Sequence, residues 1–182
     1  MNQPRQFIIE GIDRMGKSSL IKGLLNELGY HLVVHYSKPE RLAAYKDLPD
    51  PAFRYQWELY NQMFWMIEAN MRVIFDRGHL GELVYAPLYR KYDVEYVRMM
   101  EKQADTSTAR LVLLTTSDFS FLEDDGLSID FSKKEEEQAR FVEAFRGSAI
   151  EDKVLIDVHN GRGGYKTPEQ ILNEALKNSV LG

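Results

Sequence analysis

Five short apolar runs alternate with longer stretches in which apolar residues recur every three or four positions. The runs cover residues 7–9, 31–37, 72–76, 110–116 and 153–158. Helical spacing begins near Lys17 and returns over about 53–70, 80–92, 93–104, 133–146 and 168–178. Strands that alternate with helices are typical of a parallel, doubly wound sheet. The pattern predicts an α/β fold, a three-layer sandwich in which a five-stranded parallel sheet is flanked by helices, with 31–37 as a short buried strand.

Two predicted helices are preceded by residues that are typical of helix starts. Ser132 precedes Lys133-Lys134-Glu135, and Thr167 precedes Pro168-Glu169-Gln170. In a capping box the hydroxyl accepts a hydrogen bond from the third helical N–H, and Pro is favoured at the first helical position. We therefore predict capping boxes at both places. The run KKEEEQ (133–138) is interpreted as a solvated helix start whose acids complement the helix dipole.

The loop after the first strand has the spacing of a phosphate-binding loop. GIDRMGKS (11–18) matches G-x-x-x-x-G-K-S/T and lies between a strand and a helix, the context that this motif requires. Gly11 and Gly16 let the loop wrap so that its backbone N–H groups, that of Met15 among them, face phosphate oxygens. Lys17 can reach the β- and γ-phosphates, and the Ser18 hydroxyl can bind Mg²⁺. The motif predicts a P-loop NTPase fold that binds ATP and Mg²⁺.

Two charged residues inside this loop extend its chemistry. The backbone donors of the loop already attract anions, so a structural salt bridge at Arg14 would be unusual. Its guanidinium can instead neutralise charge that develops on a transferred phosphoryl group. The alternative is that Arg14 points into solvent, as loop residues often do. Asp13 is a short acceptor suited to a hydroxyl or to a Mg²⁺-bound water.

A second charged pair, Asp76 and Arg77, ends the apolar run at 72–76. Ligands of doubly wound sheets bind at the carboxyl ends of the strands, where Gly11 also lies. Asp76 can enter the shell of Mg²⁺, and Arg77 can bind a second phosphate through two parallel hydrogen bonds. A structural Asp76–Arg77 ion pair is the alternative, since charges at the end of a central strand are costly unless paired.

Composition narrows the classes of function. At 182 residues the chain is long enough for a substantial core, and we interpret 1–182 as a single domain. The net charge of −5 disfavours nucleic acid as a partner. The lack of Cys excludes disulfides and thiol catalysis and fits a cytoplasmic location, and the four His residues lack metal-binding spacing. No apolar run is long enough to span a membrane.

The stretches FIIEGIDRMGKSSL (7–20) and VIFDRGHLGELVY (73–85) together resemble the thymidylate kinase family, within the wider group of deoxynucleoside kinases. That group has the patterns E-G-I/V-D-x-x-G-K-S/T and D-R-Y/H/S; Gly78 departs from the second pattern, and His79 follows it. The resemblance implies a P-loop kinase that moves a phosphoryl group from ATP to a deoxynucleoside monophosphate. It implies dTMP or a related pyrimidine nucleotide as the substrate, and it suggests a homodimer.

The resemblance also implies individual roles. The donor phosphates and Mg²⁺ would be held by Gly11, Gly16, Lys17, Ser18 and Ser19. Asp13 would meet the 3′-hydroxyl of the acceptor sugar, and Arg14 would be the catalytic arginine of the subgroup that carries this residue in its P-loop. Arg77 would bind the acceptor phosphate, with Asp76 near the metal. Lys38 stands where the family often has a basic residue or a Pro-containing acceptor loop.

The segment from about 117 to 132 is expected to form a lid over ATP. TTSDFSFLEDDGLSIDFS (115–132) contains no Lys or Arg, and five of its residues are acidic. Thymidylate kinases with a P-loop arginine do not need arginines in the lid. A lid without cations therefore strengthens the prediction that Arg14 acts on the transferred group.

Candidates for contacting the acceptor base lie on the helix predicted at 53–70. Its aromatic residues from Phe53 to Phe64 follow helical spacing and are by default core residues. Yet Phe53, Arg54 and Gln56 also resemble the F-x-x-Q helix with which deoxynucleoside kinases read a base. An amide can make two hydrogen bonds to a pyrimidine edge while an aromatic ring stacks on its face.

Further candidates carry two interpretations each. His79 either hydrogen-bonds the acceptor or fills a polar corner of the interior. Glu82 and Tyr85 share a helix face in a neighbourhood that contacts the nucleoside in thymidylate kinases, although Tyr85 fits a core position equally well. The segment HNGRGGYK (159–166), with Gly161, either cradles the donor adenine, as in the resembling family, or is only a turn.

Three other functions remain open. A deoxynucleoside kinase acts on a neutral hydroxyl and would need a carboxylate base, for which Glu40 is the candidate. A kinase of a hydroxymethylated pyrimidine is related to it, although the acidic chain disfavours DNA as the substrate. A non-kinase nucleotide-binding switch is the third, but it has no evident use for Asp76-Arg77.

Overall fold

Strands and helices alternate along the residues that the computed structural model describes, which are 4–29, 31–36, 51–122 and 130–177. The strands are β1 (Gln6–Glu10), β2 (Leu32–His35), β3 (Val73–Asp76), β4 (Ala109–Thr115) and β5 (Lys153–Asp157). The helices are α1 (Lys17–Leu28), α2 (Pro51–Glu68), α3 (His79–Tyr85), α4 (Glu95–Gln103), α5 (Lys134–Gly147) and α6 (Pro168–Leu176). None of these helices is both long and apolar enough to cross a membrane.

The five strands form one sheet in the order β2-β3-β1-β4-β5, and every neighbouring pair is parallel. Every residue of β1 and β4 is buried, so both faces of the sheet are covered. The covering helices pack in pairs, α1 on α6, α3 on α5 and α2 on α4. The predicted α/β fold, a five-stranded parallel sheet flanked by helices, is confirmed.

The strand predicted at 31–37 differs from its prediction, because it is not buried. β2 lies at an edge of the sheet beside β3, where Leu32 and Val33 are 50% and 38% exposed. An apolar run shows that a segment suits a sheet, but its position in the sheet depends on the order of the other strands. Composition alone therefore does not separate an edge strand from a central one.

One of the two predicted capping boxes is present. The Thr167 Oγ1 accepts a hydrogen bond from the Gln170 N–H at 3.2 Å, and the Gln170 Oε1 accepts one from the Thr167 N–H at 2.8 Å. The box predicted at Ser132 is wrong. There the Ser132 N–H and hydroxyl both donate to Asp130 Oδ1, which caps a short 3₁₀ turn that precedes α5.

A buried polar cluster joins three elements behind the end of β3. The Glu101 Oε1 of α4 lies 2.7 Å from Nε2 of His79, the first residue of α3, and it accepts a hydrogen bond from Ser148. Its second oxygen accepts the Ala149 N–H at 3.0 Å. Burial alone would raise the pKa of Glu101, but these partners, His79 first, lower it to about 2. The carboxylate thus ties α3 and α4 to the segment that follows α5.

This cluster predicts a component of acid denaturation. The pKa of Glu101 is about 2 in the folded protein, whereas its usual value is 4.5. The carboxylate therefore stabilises the fold fully at a pH above 4.5, and this stabilisation is lost as the pH falls from 4.5 towards 2. The two values correspond to on the order of 3 kcal/mol. We expect the unfolding free energy of wild type, measured in urea from pH 6 to pH 3, to fall more steeply than that of Glu101→Gln.

The exposed Glu136 of α5, whose partner is Arg140, provides the matched control. Glu136→Gln should keep the wild-type slope, because an exposed helical pair contributes little. Equal slopes for Glu101→Gln and wild type would show that the buried carboxylate is not the titrating group.

Candidate active site

The loop between β1 and α1 has backbone conformations that few residues other than glycine adopt. Gly11 has φ 135°, and a Cβ there would lie 2.4 Å from the carbonyl oxygen of Leu114 on β4. Gly16 has φ 82° and Arg14 has φ 70°. Left-handed conformations at these positions turn the chain sharply from the strand into the helix. Gly11 is therefore required both by its dihedral angle and by the close approach of β4.

A cavity of about 600 Å³ lies at the carboxyl ends of β1 and β3, next to the start of α1. Its lining includes most of the residues predicted for phosphate and metal binding: Asp13, Arg14, Gly16, Lys17, Ser18, Ser19, Asp76 and Arg77. Two residues of the segment predicted to cradle the donor adenine also line it, Tyr165 and Lys166. The other lining residues were not predicted: Leu20, His35, Pro168 and Ile171. The Met15 side chain is fully buried in the core, so only its backbone is left to face a ligand.

Lys17 is held at the base of the loop. Its Nζ donates to the carbonyl oxygens of Gly11 and Ile12 at 2.8 and 2.7 Å, and the residue is 7% exposed. Burial, together with the nearby charge of Arg77, lowers the pKa of Lys17 to about 8. A buried ammonium with carbonyl partners on one side is a strong electrostatic partner for an anion on the other side.

Arg77 and Asp13 form an ion pair across the two strand ends. The Arg77 Nη2 lies 2.5 Å from Asp13 Oδ1, and Lys134 Nζ lies 3.9 Å from the second oxygen of Asp13. Burial raises the pKa of Asp13, but Arg77 and Lys17 outweigh this effect and hold the pKa below its usual value. The alternative of an Asp76–Arg77 pair is not what is found, because Asp76 instead lies 2.8 Å from His35 Nδ1.

The donors around the cavity fit a magnesium nucleotide. Mg²⁺ is usually bound by one or two protein oxygens together with substrate phosphates, rather than by a complete protein cage. Ser18 and Asp76 both line the cavity beside the loop, and the Asp76 side chain is 17% exposed. Within the described ranges no group of three or more His, Asp or Glu could hold a metal ion alone. A cation here would therefore share its ligands with the bound nucleotide.

Glu10, the last residue of β1, was not identified as a site residue from the sequence. Its side chain fixes the start of α3, which directly follows Asp76 and Arg77. Its side chain is buried, and its Oε1 accepts hydrogen bonds from the N–H groups of Gly78 and Gly81 at 3.0 and 3.2 Å. These are the capping residue of α3 and its third residue, so Glu10 supplies the cap that Gly78 lacks. Burial raises the pKa of Glu10, although the neighbouring His79 opposes this effect. Its sequence signals were an acid at the end of an apolar run and the first position of the pattern E-G-I/V-D-x-x-G-K-S/T.

The position of Glu10 also explains why the chain has glycine after Asp76-Arg77. A Cβ on Gly78 would lie 2.5 Å from Ile8 Cγ2 and 3.2 Å from Glu10 Oε1. We expect Gly78→Ala to lower the unfolding free energy by about 1–3 kcal/mol, since overpacking a buried site forces the backbone to move. Urea unfolding measures this, with Gly147→Ala as the matched control, because a Cβ there meets only Arg98 Nη1 at 3.5 Å. Equal stabilities for the two variants would contradict the steric explanation.

The predicted base-contacting residues differ in their surroundings. Phe53 is half-buried and packs edge-on against Tyr96, with ring centroids 4.9 Å apart. Gln56 is 6% exposed, and its Oε1 has no hydrogen-bond partner among the described residues. Arg54 is exposed. A buried amide oxygen without a partner is costly, which is a reason to consider Gln56 as a ligand contact.

Two residues predicted near the acceptor, His79 and Glu82, are buried and have partners within the protein. His79 is fully buried beside Glu101, which favours the interpretation as a polar corner. Glu82 is 1% exposed and accepts hydrogen bonds from Tyr92, Tyr96 and Arg90, the last residue of a π-helical turn (Ala86–Arg90) that continues α3.

The remaining predicted residues are less constrained. Tyr85 is half-buried. Burial, together with the Glu137 carboxylate, raises the pKa of its hydroxyl, and the charge of Arg77 opposes this effect. Gly161 has φ 76° in the loop before α6, and a Cβ there would meet nothing within 4 Å. Lys38, Glu40 and the lid residues 123–129 lie outside the described residues. The roles of all these residues stay predictions.

Lys134 and Glu137 correct the interpretation of KKEEEQ as a solvated helix start. Lys134 is 5% and Glu137 1% exposed, and Lys134 Nζ donates to Glu137 Oε2 at 2.8 Å. Tyr89 donates to the other Glu137 oxygen at 2.7 Å. Lys134 also approaches Asp13, which pairs with Arg77. A series of side chains with alternating charge therefore connects Glu137 of α5 to Arg77 at the end of β3. Their spacing resembles that of exposed helical pairs, so the sequence carried no signal of their burial.

Several solved structures, two of them of kinases, are similar to this chain. The YorR protein from Bacillus subtilis, solved with phosphorylated GDP, superposes with a TM-score of 0.66 at 20% identity and covers 92% of this chain and 91% of its own. Thymidylate kinase from Candida albicans gives 0.56 at 15% identity, covering 94% of this chain and 88% of its own. Deoxyadenosine kinase from M. mycoides gives 0.53 at 16%, covering 92% of this chain and 94% of its own.

These similarities concern the fold. No protein-family model matches the chain, and no curated protein matches it in sequence. The chain shares the α/β fold of these proteins, as its alternation of strands and helices predicts. At such low identities a shared fold does not determine the substrate, which depends on the chemistry of the site.

Proposed function

We propose that this chain is a nucleotide kinase that transfers the γ-phosphoryl group of ATP to the phosphate of a deoxynucleoside monophosphate. The observation that carries the proposal is that two separate cationic positions face one cavity. Lys17 and Arg14 belong to the loop after β1, and Arg77 belongs to the end of β3. A donor phosphate and an acceptor phosphate each need such a position, and a nucleotide-binding switch would need only the first.

The donor half of the site rests on the P-loop. Its glycine and left-handed conformations, the buried Lys17 and the start of α1 together suit a chain of phosphates. Mg²⁺, held by Ser18, Asp76 and the nucleotide, would neutralise charge on the β- and γ-phosphates. Tyr165 and Lys166 belong to the predicted adenine loop and line the same cavity, which would give the donor base a place next to the phosphates.

The acceptor half rests on Arg77. Its Nη2 donates a hydrogen bond to Asp13, and its side chain is 30% exposed and lines the cavity. Other N–H groups of the guanidinium are therefore left to bind a phosphate. An oxygen of the acceptor phosphate attacks the γ-phosphorus, and the bond from that phosphorus to the bridging oxygen of ADP breaks. ADP leaves with the electron pair. Since the attacking oxygen is already anionic, the step depends on positioning and charge neutralisation and needs no general base.

We propose dTMP or a related pyrimidine nucleotide as the acceptor. The sequence motifs resemble those of thymidylate kinases, and the thymidylate kinase from Candida albicans shares the fold. The unpartnered amide oxygen of Gln56 and the ring of Phe53 would serve a planar base with donors on its edge.

A deoxynucleoside kinase is the second candidate, and Gln56 is the observation that favours it, since the F-x-x-Q helix resembles that group. The deoxyadenosine kinase from M. mycoides has the same fold. In that case the acceptor would be a neutral hydroxyl, and Glu40 would be the candidate base.

An ADP-release assay with Mg-ATP and a panel of deoxynucleosides, their 5′-monophosphates and hydroxymethylated pyrimidine analogues tests these functions. We expect turnover that depends on a 5′-monophosphate, is highest with dTMP or another pyrimidine, and stops when EDTA removes Mg²⁺. Turnover with nucleosides alone would transfer the assignment to the deoxynucleoside kinases. ADP release that no acceptor stimulates would overturn the kinase proposal.

A further inference from the structure

The hydroxyl of Tyr165 makes a direct contact with the P-loop. It donates a hydrogen bond to the backbone carbonyl oxygen of Arg14 at 2.7 Å, although the two residues are 151 positions apart. Tyr165 also lines the cavity and is 42% exposed. The contact therefore joins the loop before α6 to the residue proposed to act on the transferred group.

Arg14 has a backbone conformation that needs support. Its φ of 70° lies in the left-handed region, which is unfavourable for a residue with a Cβ. Such conformations persist where the surrounding structure holds them, and they cluster at functional sites. The carbonyl that Tyr165 engages belongs to this residue, so the hydrogen bond acts directly on the peptide plane whose orientation sets the path of the Arg14 side chain.

Tyr165 is itself well fixed. Its ring packs edge-on against Phe121, with centroids 4.6 Å apart. Its backbone pairs with His159 in an isolated antiparallel bridge, and the next residue, Lys166, donates from its N–H to Val158 at 2.7 Å. The tyrosine is thus held by the segment after β4 on one side and by the end of β5 on the other.

We propose that Tyr165 is a positioning residue for Arg14: its hydrogen bond holds the P-loop in the conformation that directs the Arg14 guanidinium at the transferred phosphoryl group. This inference rests on the proposed function, because it assigns Tyr165 a part in the same transfer. It also couples the loop predicted to contact the donor base to the step at the γ-phosphate. Phenylalanine at 165 would keep the ring packing but would remove the hydrogen bond to the Arg14 carbonyl oxygen.

The test compares Tyr165→Phe in two backgrounds, wild type and Arg14→Ala. In wild type we expect kcat to fall about tenfold, the range of one lost hydrogen bond, while KM for ATP changes by less than about twofold. In Arg14→Ala the same substitution should change kcat by less than about twofold, because the group that Tyr165 positions is absent. Thermal unfolding should show that Tyr165→Phe lowers Tm by no more than about 2–4 °C, the shift that one lost hydrogen bond produces in a chain of this size.

Tyr89→Phe is the matched control, since that hydroxyl donates to Glu137 and not to the P-loop. Tyr89→Phe should change kcat by the same factor in wild type and in Arg14→Ala. Equal factors for Tyr165→Phe in the two backgrounds, or no effect in wild type, would overturn the inference.

A second measurement separates this inference from the proposed function. In ¹⁵N spectra, Tyr165→Phe should shift the backbone amide resonances of Arg14, Met15 and Gly16 as well as those near residue 165. Shifts confined to residues 162–168 would overturn the positioning role. If wild type transferred phosphate to no acceptor, the proposed function would fail, while the spectra would still decide whether Tyr165 sets the conformation at Arg14.

Discussion

Arg14→Ala is expected to lower kcat for phosphoryl transfer about 10³-fold or more, the range found for arginines that stabilise the transferred group. The affinity for ATP should change far less, since the P-loop backbone and Lys17 remain in place. The reason is that charge spreads over the equatorial oxygens in the transition state, and a guanidinium contributes most where charge develops. Arg14 lines the cavity at the loop that would hold these phosphates.

The segment predicted as a lid offers no substitute for this residue. The segment 115–132 has no Lys or Arg, and the first buried cation after it, Lys134, is paired with Glu137. Arg14→Lys gives the stringent comparison, because it keeps the charge but loses the planar fork of donors. We expect it to recover only a small part of the lost rate.

Single-turnover kinetics together with ATP binding would measure both effects. A loss that appears only in the affinity for ATP would mean that Arg14 holds the ground state. An unchanged kcat would mean that its side chain takes no part in the transfer.

The scaffold and the placement of the P-loop residues at one cavity could be predicted from the sequence, because both depend on local patterns. The five strands were predicted from apolar runs. The P-loop was predicted from the spacing of Gly11, Gly16, Lys17 and Ser18, which lie within eight consecutive residues. Thr167 and Gln170 form their capping box because all its partners lie within four residues. Features of this kind are specified by residues that are close together along the chain, so they can be predicted from the sequence alone.

The features that the sequence did not reveal are charges whose partners are distant in sequence. Glu10 is buried because Gly78 and Gly81 bring N–H groups to it from 68 and 71 residues away. Lys134 has its partner one turn away, but both are buried only because α5 packs against α3. Burial of a charge depends on what the fold assembles around it, which a one-dimensional pattern does not encode.

Arg77 gives the second large effect, and it separates the two kinase functions. Arg77→Met is expected to lower kcat/KM for the monophosphate acceptor about 10²- to 10³-fold, the range for loss of one well-placed charged donor. Slow ATP hydrolysis without acceptor should fall far less, because the backbone of the P-loop and Lys17 remain in place. If the acceptor is a nucleoside, which carries no phosphate to bind, the same substitution should cost much less.

The Asp13–Arg77 ion pair must be separated from acceptor binding, because removing one partner leaves the other charge half-buried. The double variant Asp13→Asn/Arg77→Met removes both charges. If Arg77 serves only to hold Asp13, the double variant should recover activity; if Arg77 binds the acceptor phosphate, it should remain as impaired as the single variant. Arg140→Met, which removes an exposed arginine paired with Glu136 on α5, should behave as wild type. Recovery in the double variant would move acceptor binding away from Arg77 to another cation of the cavity, such as Lys166.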